Sequence, residues 1–224
     1  MIIAIDGPAA SGKSTTAKLV AERSGFSYLD TGAMYRAVTY AVLQSRVDLA
    51  DEQGLAEWLA LQDITQRWEK GTCRVYLNGT DITAAIRSPE VTRRVSEVSA
   101  IPVVRQAMVR LQRTLAAQGD YVVEGRDIGT VVFPDAEWKF FLVADDETRA
   151  KRRQKDLEQL GIHQDISELV REIQERDRKD SSRAHSPLRK AADAIEVDTS
   201  HLTIAEQVQF ILNQIKQPLT KETS

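Results

Sequence analysis

Short apolar runs alternate with amphipathic stretches along most of the chain. Continuous apolar or strand-like runs occur at Ile2–Asp6, Ser27–Asp30, Tyr121–Glu124, Lys139–Val143 and Ala194–Val197. Apolar positions at helical spacing predict helices over 13–23, 34–44, 52–61, 102–117, 147–160 and 204–215. Strands that alternate with helices predict an α/β fold built on a mostly parallel sheet.

Two segments depart from this alternation. In residues 62–85, an apolar triplet is followed by Asn78-Gly79, which favours a tight hairpin, and Lys70-Gly71 marks another turn. Ser88, as N-cap, and Pro89 then predict the start of a helix. Residues 161–185 are polar and charged, which is typical of a mobile cover. We expect one domain with a core of 1–57, 99–151 and 186–224, a small antiparallel insertion at about 58–98 and a second excursion at about 152–185.

Composition narrows the class of protein without naming its chemistry. The 224 residues are 42% apolar and 28% charged, as in ordinary soluble domains. A net charge of −3 argues against a globally basic nucleic-acid binder. The single Cys73 cannot form an internal disulfide, and no apolar run approaches the roughly 18 residues of a membrane span. We therefore expect a cytoplasmic protein with neither a nucleic-acid nor a membrane partner. A monomer is favoured, and the oligomeric state stays open.

The charge is unevenly distributed. Residues 149–190 carry twelve basic and eight acidic side chains, so this segment is +4 while the remainder is −7. A solvated helix with ion pairs one turn apart would explain this excess, as would a site for a compact anionic ligand.

A phosphate-binding loop follows the first predicted strand. The sequence Gly7-Pro8-Ala9-Ala10-Ser11-Gly12-Lys13-Ser14 fits the pattern G-x-x-x-x-G-K-[ST] and opens a predicted helix. In such loops backbone N–H groups surround phosphates, Lys13 reaches the β/γ-phosphates, and the Ser14 hydroxyl ligates Mg²⁺, with Thr15 as its neighbour. The sequence leaves open which carboxylate orients the metal: Asp30, Glu124 or Asp127. The Asn-Lys-x-Asp segment that GTPases use to read guanine is absent from the sequence.

Charged residues follow two other predicted strands, where ligands bind in open α/β sheets. Residues 30–36 read Asp-Thr-Gly-Ala-Met-Tyr-Arg; Thr31 is a candidate helix N-cap and Arg36 is a candidate anion ligand. After the strand at 121–124, Arg126 is suited to an acceptor phosphate and Asp127 to an exocyclic amine. A third cluster places Arg176, Asp180 and Arg183 on one face if that segment is helical. A second anion site beside the phosphate loop is what a phosphotransferase requires.

Together these motifs resemble those of the bacterial cytidylate kinases, a family of nucleoside monophosphate kinases. The matching pieces span nearly the whole chain in order: Ile5-Asp6-Gly7-Pro8 running into Gly12-Lys13-Ser14, residues 30–36, Gly125-Arg126-Asp127-Ile128-Gly129-Thr130-Val131-Val132-Phe133-Pro134, and 175–183. The resemblance implies a P-loop kinase fold with a five-stranded central sheet, in which 58–98 is the CMP-binding insertion and 152–185 the lid. It also implies Mg²⁺-dependent transfer of the ATP γ-phosphoryl group to CMP or dCMP.

The resemblance further implies residue roles. The CMP phosphate would be held by Thr31, Arg36, Arg126 and Arg183. The cytosine would be read by Ser96, Arg105 and Asp127. Arg176 and Asp180 would lie near the sugar or the transferring phosphate, and Arg152 would contact ATP. Two alternatives stay open: a kinase for another nucleoside monophosphate or small metabolite, and a nucleotide-dependent regulatory switch.

Overall fold

A parallel sheet of five strands lies at the centre of the fold. The computed structural model describes residues 1–69, 71–159 and 161–216. The strands are β1 (Ile2–Asp6), β2 (Ser27–Asp30), β6 (Tyr121–Gly125), β7 (Trp138–Val143) and β8 (Ile195–Asp198), in the spatial order β2-β6-β1-β7-β8. Every neighbouring pair is parallel. The predicted α/β class and the five-stranded sheet are confirmed.

Helices cover both faces of this sheet. The α-helices of the described residues are α1 (Lys13–Ser24), α2 (Thr31–Gln44), α3 (Glu52–Ala60), α4 (Pro89–Val98), α5 (Pro102–Ala116), α6 (Asp146–Glu158), α7 (Ile166–Ser181) and α8 (Ile204–Ile215). Successive side chains of a strand point to opposite faces, so Ile3 and Ile5 pack in the cluster of α1 and α8, whereas Ala4 packs in that of α2 and α5. A separate small apolar cluster joins α6 to α7. Among the described residues, no helix is long and apolar enough to cross a membrane.

The segment between α3 and α4 forms a small antiparallel sheet. Its strands are β3 (Ile64–Glu69), β4 (Thr72–Leu77) and β5 (Thr80–Asp81), paired in that order. Asn78 and Gly79 both have positive φ, 51° and 80°, as the predicted hairpin turn requires. Of the other predicted turn, Lys70 lies outside the described residues. Ser88 accepts a hydrogen bond from the Val91 N–H and Pro89 begins α4, which confirms the predicted helix start.

Several helix and strand ends differ from the predicted ones by one to three residues, and Ile166–Ser181, within the predicted mobile cover, is the helix α7. Three further differences stand out. Asp30, not Thr31, is the N-cap of α2, because its carboxylate accepts from the Ala33 N–H at 2.8 Å. The predicted 147–160 helix spans Asp146–Glu158, and Leu160 lies outside the described residues. Ile128–Val132 forms a turn of π-helix that the sequence pattern does not predict.

Candidate active site

The carboxyl ends of the strands open into a cleft of about 890 Å³. All the predicted site residues except Gly7 and Pro8 contribute to its lining. They are Ala9, Ala10, Ser11, Gly12, Lys13, Ser14, Thr15, Thr31, Arg36, Ser96, Arg105, Arg126, Asp127, Arg152, Arg176, Asp180 and Arg183. The structure therefore brings residues from all the motifs to one place.

The loop between β1 and α1 has the geometry of an anion cradle. A Cβ on Gly7 would lie 2.3 Å from the Leu142 carbonyl oxygen, so the backbone approaches β7 as only glycine allows. Gly12 takes a left-handed conformation directly before α1, and no side chain caps this helix start. Its first N–H groups are thus free to bind an anion. The buried Lys13 donates from Nζ to the Pro8 carbonyl oxygen at 3.1 Å, and burial together with Arg126 lowers its pKa.

Glu124, at the end of β6, is the carboxylate joined to the phosphate loop. Its side chain accepts from Ser14 Oγ at 2.7 Å and from the Tyr28 hydroxyl. Burial, reinforced by the nearby Asp30, raises the pKa of Glu124. Of the other candidates for metal orientation, Asp30 caps α2 and Asp127 is paired with Arg105.

The donor set at this point suits a partly hydrated Mg²⁺. The described part of the chain holds no group of three or more His, Cys, Asp or Glu side chains placed to bind a metal. Mg²⁺ beside nucleotides needs no such group, because it keeps several waters and takes one or two carboxylates plus phosphate oxygens. An oxygen of this kind is available in the Ser14 hydroxyl, to which the Glu124 carboxylate is hydrogen-bonded.

Thr31 and Arg36, both on α2, also line the cleft. Thr31 is buried, and its hydroxyl donates to the Glu124 carbonyl oxygen at 2.7 Å, so this proton is already used within the fold. Arg36 Nη1 donates to Thr92 Oγ1 at 2.9 Å and to the Ile86 carbonyl oxygen at 3.2 Å, and burial lowers its pKa to about 10. These contacts orient the Arg36 guanidinium from the insertion side.

Arg105 and Asp127 form a buried ion pair. Arg105 Nη2 donates to Asp127 Oδ2, and Nη1 donates to the Ser99 carbonyl oxygen at 3.2 Å. The side chains are only 5% and 4% exposed, so the surrounding protein screens the pair little. The guanidinium also lies over the Tyr35 ring, 5.2 Å from its centroid. Ser96, on α4, lines the same cleft.

The turn that follows Asp127 is fixed by Asp6, the last residue of β1. Its two carboxylate oxygens accept from the N–H groups of Ile128 and Gly129, at 2.9 and 2.8 Å. Burial raises the pKa of Asp6 to about 7 in spite of these donors. The same strand that leads into the phosphate loop therefore sets the backbone beside Asp127.

Three arginines gather around the buried carboxylate of Asp180 on α7. Arg126 Nε donates to Asp180 Oδ2 at 3.0 Å, Arg183 donates to Oδ1, and Arg176 Nε lies 4.0 Å away. Burial would raise the pKa of Asp180, but these arginines outweigh it and hold that pKa below its usual value. Because α7 ends at Ser181, Arg183 lies beyond the helix, and the expectation of a shared helical face is wrong for this residue. The cluster nevertheless forms.

Arg152 lies against the phosphate loop. Its guanidinium donates to the Ser11 carbonyl oxygen at 3.2 Å and to both the carbonyl and the hydroxyl oxygen of Thr199, at 2.6 and 3.0 Å. A Cβ on Gly12 would be 3.4 Å from Nη1. Arg152 is thus positioned by the end of β8, where it borders the start of α1.

The charge around the cleft favours a polyanionic ligand. Twelve basic and seven acidic side chains contribute to the lining. Several basic residues of the +4 segment are among them, including Arg153 and Lys155, while Lys151 forms an exposed pair with Glu147. Both explanations of the uneven charge thus apply, each to different residues.

Sequence reasoning missed four residues that shape this site. Tyr28 reads as an ordinary strand residue but donates to Glu124. Gln66 of β3 accepts from the Asp30 N–H at 3.1 Å and donates to the Asp30 carbonyl oxygen at 2.6 Å. Arg149 and Asp177 contact Ala9 in the phosphate loop. Of these, only Asp177 lies in a segment that carried the family resemblance, residues 175–183.

Comparisons with known proteins agree over almost the whole chain. The family model described as cytidylate kinase matches residues 3–217. A cytidylate kinase of Bacillus subtilis is 51% identical over 215 residues, which is 96% of each chain. One of Lactobacillus gasseri is 50% identical over 217 residues, covering 97% of this chain and 94% of the relative. A crystal structure of an uncharacterized protein from Eubacterium ventriosum is similar in fold, with a TM-score of 0.52, 15% identity, and 97% and 99% of the two chains covered.

Fold, cleft and relatives together define a nucleoside monophosphate kinase. More narrowly, the chain belongs to the cytidylate kinase family, which confirms the resemblance of its motifs.

Proposed function

We propose that this enzyme transfers the γ-phosphoryl group of ATP to CMP or dCMP, with Mg²⁺, giving CDP or dCDP and ADP. The observation that carries the choice of base is the buried Arg105–Asp127 pair on the wall of the cleft. Cytosine presents an amine donor beside two acceptors, so a carboxylate next to a guanidinium complements it. Uracil presents a carbonyl and an N–H there, which places acceptor against acceptor and donor against donor.

On the donor side, the backbone N–H groups at the start of α1 and the Lys13 ammonium bind the β- and γ-phosphates. A bound phosphate is a better partner for Lys13 than the Pro8 carbonyl oxygen that it contacts at 3.1 Å. Arg152 borders the same loop and contacts the nucleotide from the side of β8. Residues 152–185 form the lid of this proposal.

On the acceptor side, Arg36, Arg126 and Arg183 hold the CMP phosphate, and the Thr31 hydroxyl joins them by exchanging the Glu124 carbonyl oxygen for a phosphate oxygen. Ser96 joins Arg105 and Asp127 around the base, and 58–98 is the acceptor-binding insertion. The role of Asp180 is to keep Arg126, Arg176 and Arg183 together near the sugar and the transferring phosphate. No strong general base is required, because the acceptor phosphate is already anionic at neutral pH.

Ser14 ligates the metal in this proposal, and Glu124 orients it. When bound, Mg²⁺ supplies positive charge to the phosphate oxygens between which the phosphoryl group moves. The protein's part is positional: the Ser14–Glu124 contact fixes one ligand oxygen, and the arginines around Asp180 place positive charge on the other side of the cleft.

An acceptor panel tests this function. ADP formation from ATP and Mg²⁺ is measured with CMP, dCMP, UMP and AMP. We expect kcat/KM for CMP and dCMP to exceed that for UMP by about 10- to 100-fold, since mismatched buried polar groups cost about 1–3 kcal/mol each. A preference for UMP or AMP would overturn the assignment of the acceptor. Hydrolysis that does not respond to any acceptor would instead indicate a nucleotide-dependent switch.

A further inference from the structure

A contact between α7 and the phosphate loop has no part in the function described above. Asp177 Oδ1 accepts from the Ala9 N–H at 3.2 Å, and Asp177 Oδ2 pairs with Arg149 Nη1. The same Arg149 nitrogen donates to the Ala9 carbonyl oxygen at 3.2 Å. Arg149 and Asp177, here called the Ala9 clasp, therefore hold both backbone polar groups of one loop residue.

The clasp fixes the peptide groups on both sides of Ala9. The N–H held by Asp177 belongs to the Pro8–Ala9 peptide, and the carbonyl held by Arg149 belongs to the Ala9–Ala10 peptide. Ala10 has φ of +58°, a left-handed conformation that costs a non-glycine residue of order 1 kcal/mol and persists only where its surroundings enforce it. The clasp supplies that constraint at the residue immediately before the strained one.

The Lys13 side chain contacts the other end of the Pro8–Ala9 peptide group. Its Nζ donates to the Pro8 carbonyl oxygen, while the N–H of that peptide donates to Asp177. Hydrogen bonds at the two ends of one peptide polarise each other, and they restrict its rotation. The position of the Lys13 ammonium is thus linked through a single planar group to a carboxylate on α7.

The two halves of the clasp come from different parts of the fold. Arg149 is 5% exposed and lies in the first turn of α6, where it also pairs with Asp146. Asp177 lies near the end of α7, in the segment proposed as the lid, with its side chain 18% exposed. Gln174 of α7 donates to Asp146 at 2.6 Å, which joins the helices again at this level. In this arrangement α7 places the Asp177 carboxylate against Ala9 and completes the Ala9 clasp.

We infer that Asp177 is a positioning residue which, through Arg149 and the Ala9 backbone, sets the shape of the phosphate loop for the triphosphate when α7 is docked. This inference rests on the proposed function, because it takes the loop to be the ATP site and α7 to be part of the lid. It assigns to Asp177 an effect on the donor nucleotide and none on the acceptor.

Affinity measurements on the full-length protein separate these two effects. Binding of a non-hydrolysable ATP analogue with Mg²⁺, and of CMP alone, is measured by calorimetry for the wild type, Asp177→Ala and Asp177→Asn. Because hydrogen bonds to charged groups contribute about 1.5–3 kcal/mol, we expect Asp177→Ala to weaken the analogue by about 10- to 100-fold and to leave CMP binding unchanged. Asp177→Asn keeps an acceptor for the Ala9 N–H but not the charge opposite Arg149, so its loss is expected to be smaller.

Glu147→Gln is the matched control. Glu147 also neutralises a basic residue, Lys151, but it is exposed on α6 and does not line the cleft. We expect the control to bind both nucleotides as the wild type does. In turnover, Asp177→Ala should raise KM for ATP and lower kcat without changing KM for CMP.

Two outcomes would overturn the inference: wild-type affinity of Asp177→Ala for the analogue, or equal losses of analogue and CMP affinity, as general destabilisation would give. The analogue measurement does not involve the acceptor. If the acceptor panel points to a different nucleoside monophosphate, the ratio of variant to wild-type affinity for the ATP analogue therefore still tests the role of the Ala9 clasp.

Discussion

Ser14 Oγ donates a 2.7 Å hydrogen bond to Glu124 Oε2, which joins the second residue of α1 to the end of β6. The hydroxyl and the carboxylate come from elements 110 residues apart along the chain. Tyr28 donates to the other Glu124 oxygen and packs against Trp68 of β3, with ring centroids 5.0 Å apart. The carboxylate beside the phosphate loop is therefore braced from the insertion side as well.

Glu124→Gln is expected to impair metal use. A glutamine offers one acceptor oxygen to two donors, Ser14 and Tyr28, and lacks the negative charge. Loss of an outer-shell carboxylate commonly costs about 10- to 100-fold in metal affinity or activity, so we expect a rise of this size in the Mg²⁺ concentration that gives half-maximal rate. Affinity for ADP without metal should stay unchanged in calorimetry. Glu196→Gln, which alters an exposed pair with Lys190, is the control. If the rate of the variant depended on Mg²⁺ as that of the wild type does, Glu124 would have no part in binding the metal.

Asp127→Asn is expected to relax the choice between cytosine and uracil. Asparagine keeps the shape beside the buried Arg105 and can either accept from an amine or donate to a carbonyl. The ratio of kcat/KM for CMP to that for UMP should fall by about 10- to 100-fold, mostly through better use of UMP. The asparagine variant is preferable to alanine, because its amide oxygen still accepts a hydrogen bond from Arg105 although the counter-charge is lost. Equal ratios in the wild type and the variant would contradict this reading of the pair.

Gly125→Ala is expected to distort the cleft beside Thr31. A Cβ there would lie 2.7 Å from Thr31 Oγ1 and 2.6 Å from Ile128 Cδ1, so both neighbours would have to move. Overpacking of this kind costs about 1–3 kcal/mol of unfolding free energy, and urea denaturation measures it. At Gly119 an added Cβ meets nothing within 4 Å, so Gly119→Ala is the matched control and should be close to neutral. Equal stability of the two variants would show that Thr31 and Ile128 move aside without a cost in unfolding free energy.

Asp180→Asn is expected to change the acid side of the stability profile. The folded-state pKa of Asp180 lies below its unfolded value, so the carboxylate stabilises the fold above the unfolded pKa, and this contribution is lost as pH falls through the folded pKa. Removing a buried partner of several arginines costs about 3 kcal/mol near neutral pH. The gap in unfolding free energy between the wild type and the variant should narrow as the pH is lowered towards 3, as followed by urea titrations. A gap that is independent of pH would mean that the carboxylate charge contributes nothing.

Sequence reasoning recovered the elements where local patterns govern them. The bounds of β1, β2 and α8 match those predicted, because apolar runs and helical spacing are properties of neighbouring residues. The phosphate loop was equally readable, since its glycines and Lys13 are adjacent in the chain. The π-helical turn at Ile128–Val132 was not, because it depends on Asp6, more than 120 residues away.

Contacts between side chains that are far apart along the chain could not be predicted from the sequence. The resemblance nominated both Arg105 and Asp127 for the base, but nothing in the pattern indicates that they pair with each other. Tertiary packing likewise produces the ion pairs of the arginines with Asp180 and the hydrogen bonds between Gln66 and the Asp30 backbone. Types of functional residue follow from local motifs, whereas their partners require the fold.

The position of Asp6 gives the two halves of the site a common reference. It ends the central strand, directly precedes the phosphate loop, and holds the backbone just after Arg126 and Asp127. A displacement of β1 would therefore move the phosphate loop and the backbone that follows Asp127 together. In the proposed function, this shared support keeps the two phosphate-binding parts of the cleft at a fixed spacing, so that the approach of the nucleotides depends on the proposed lid.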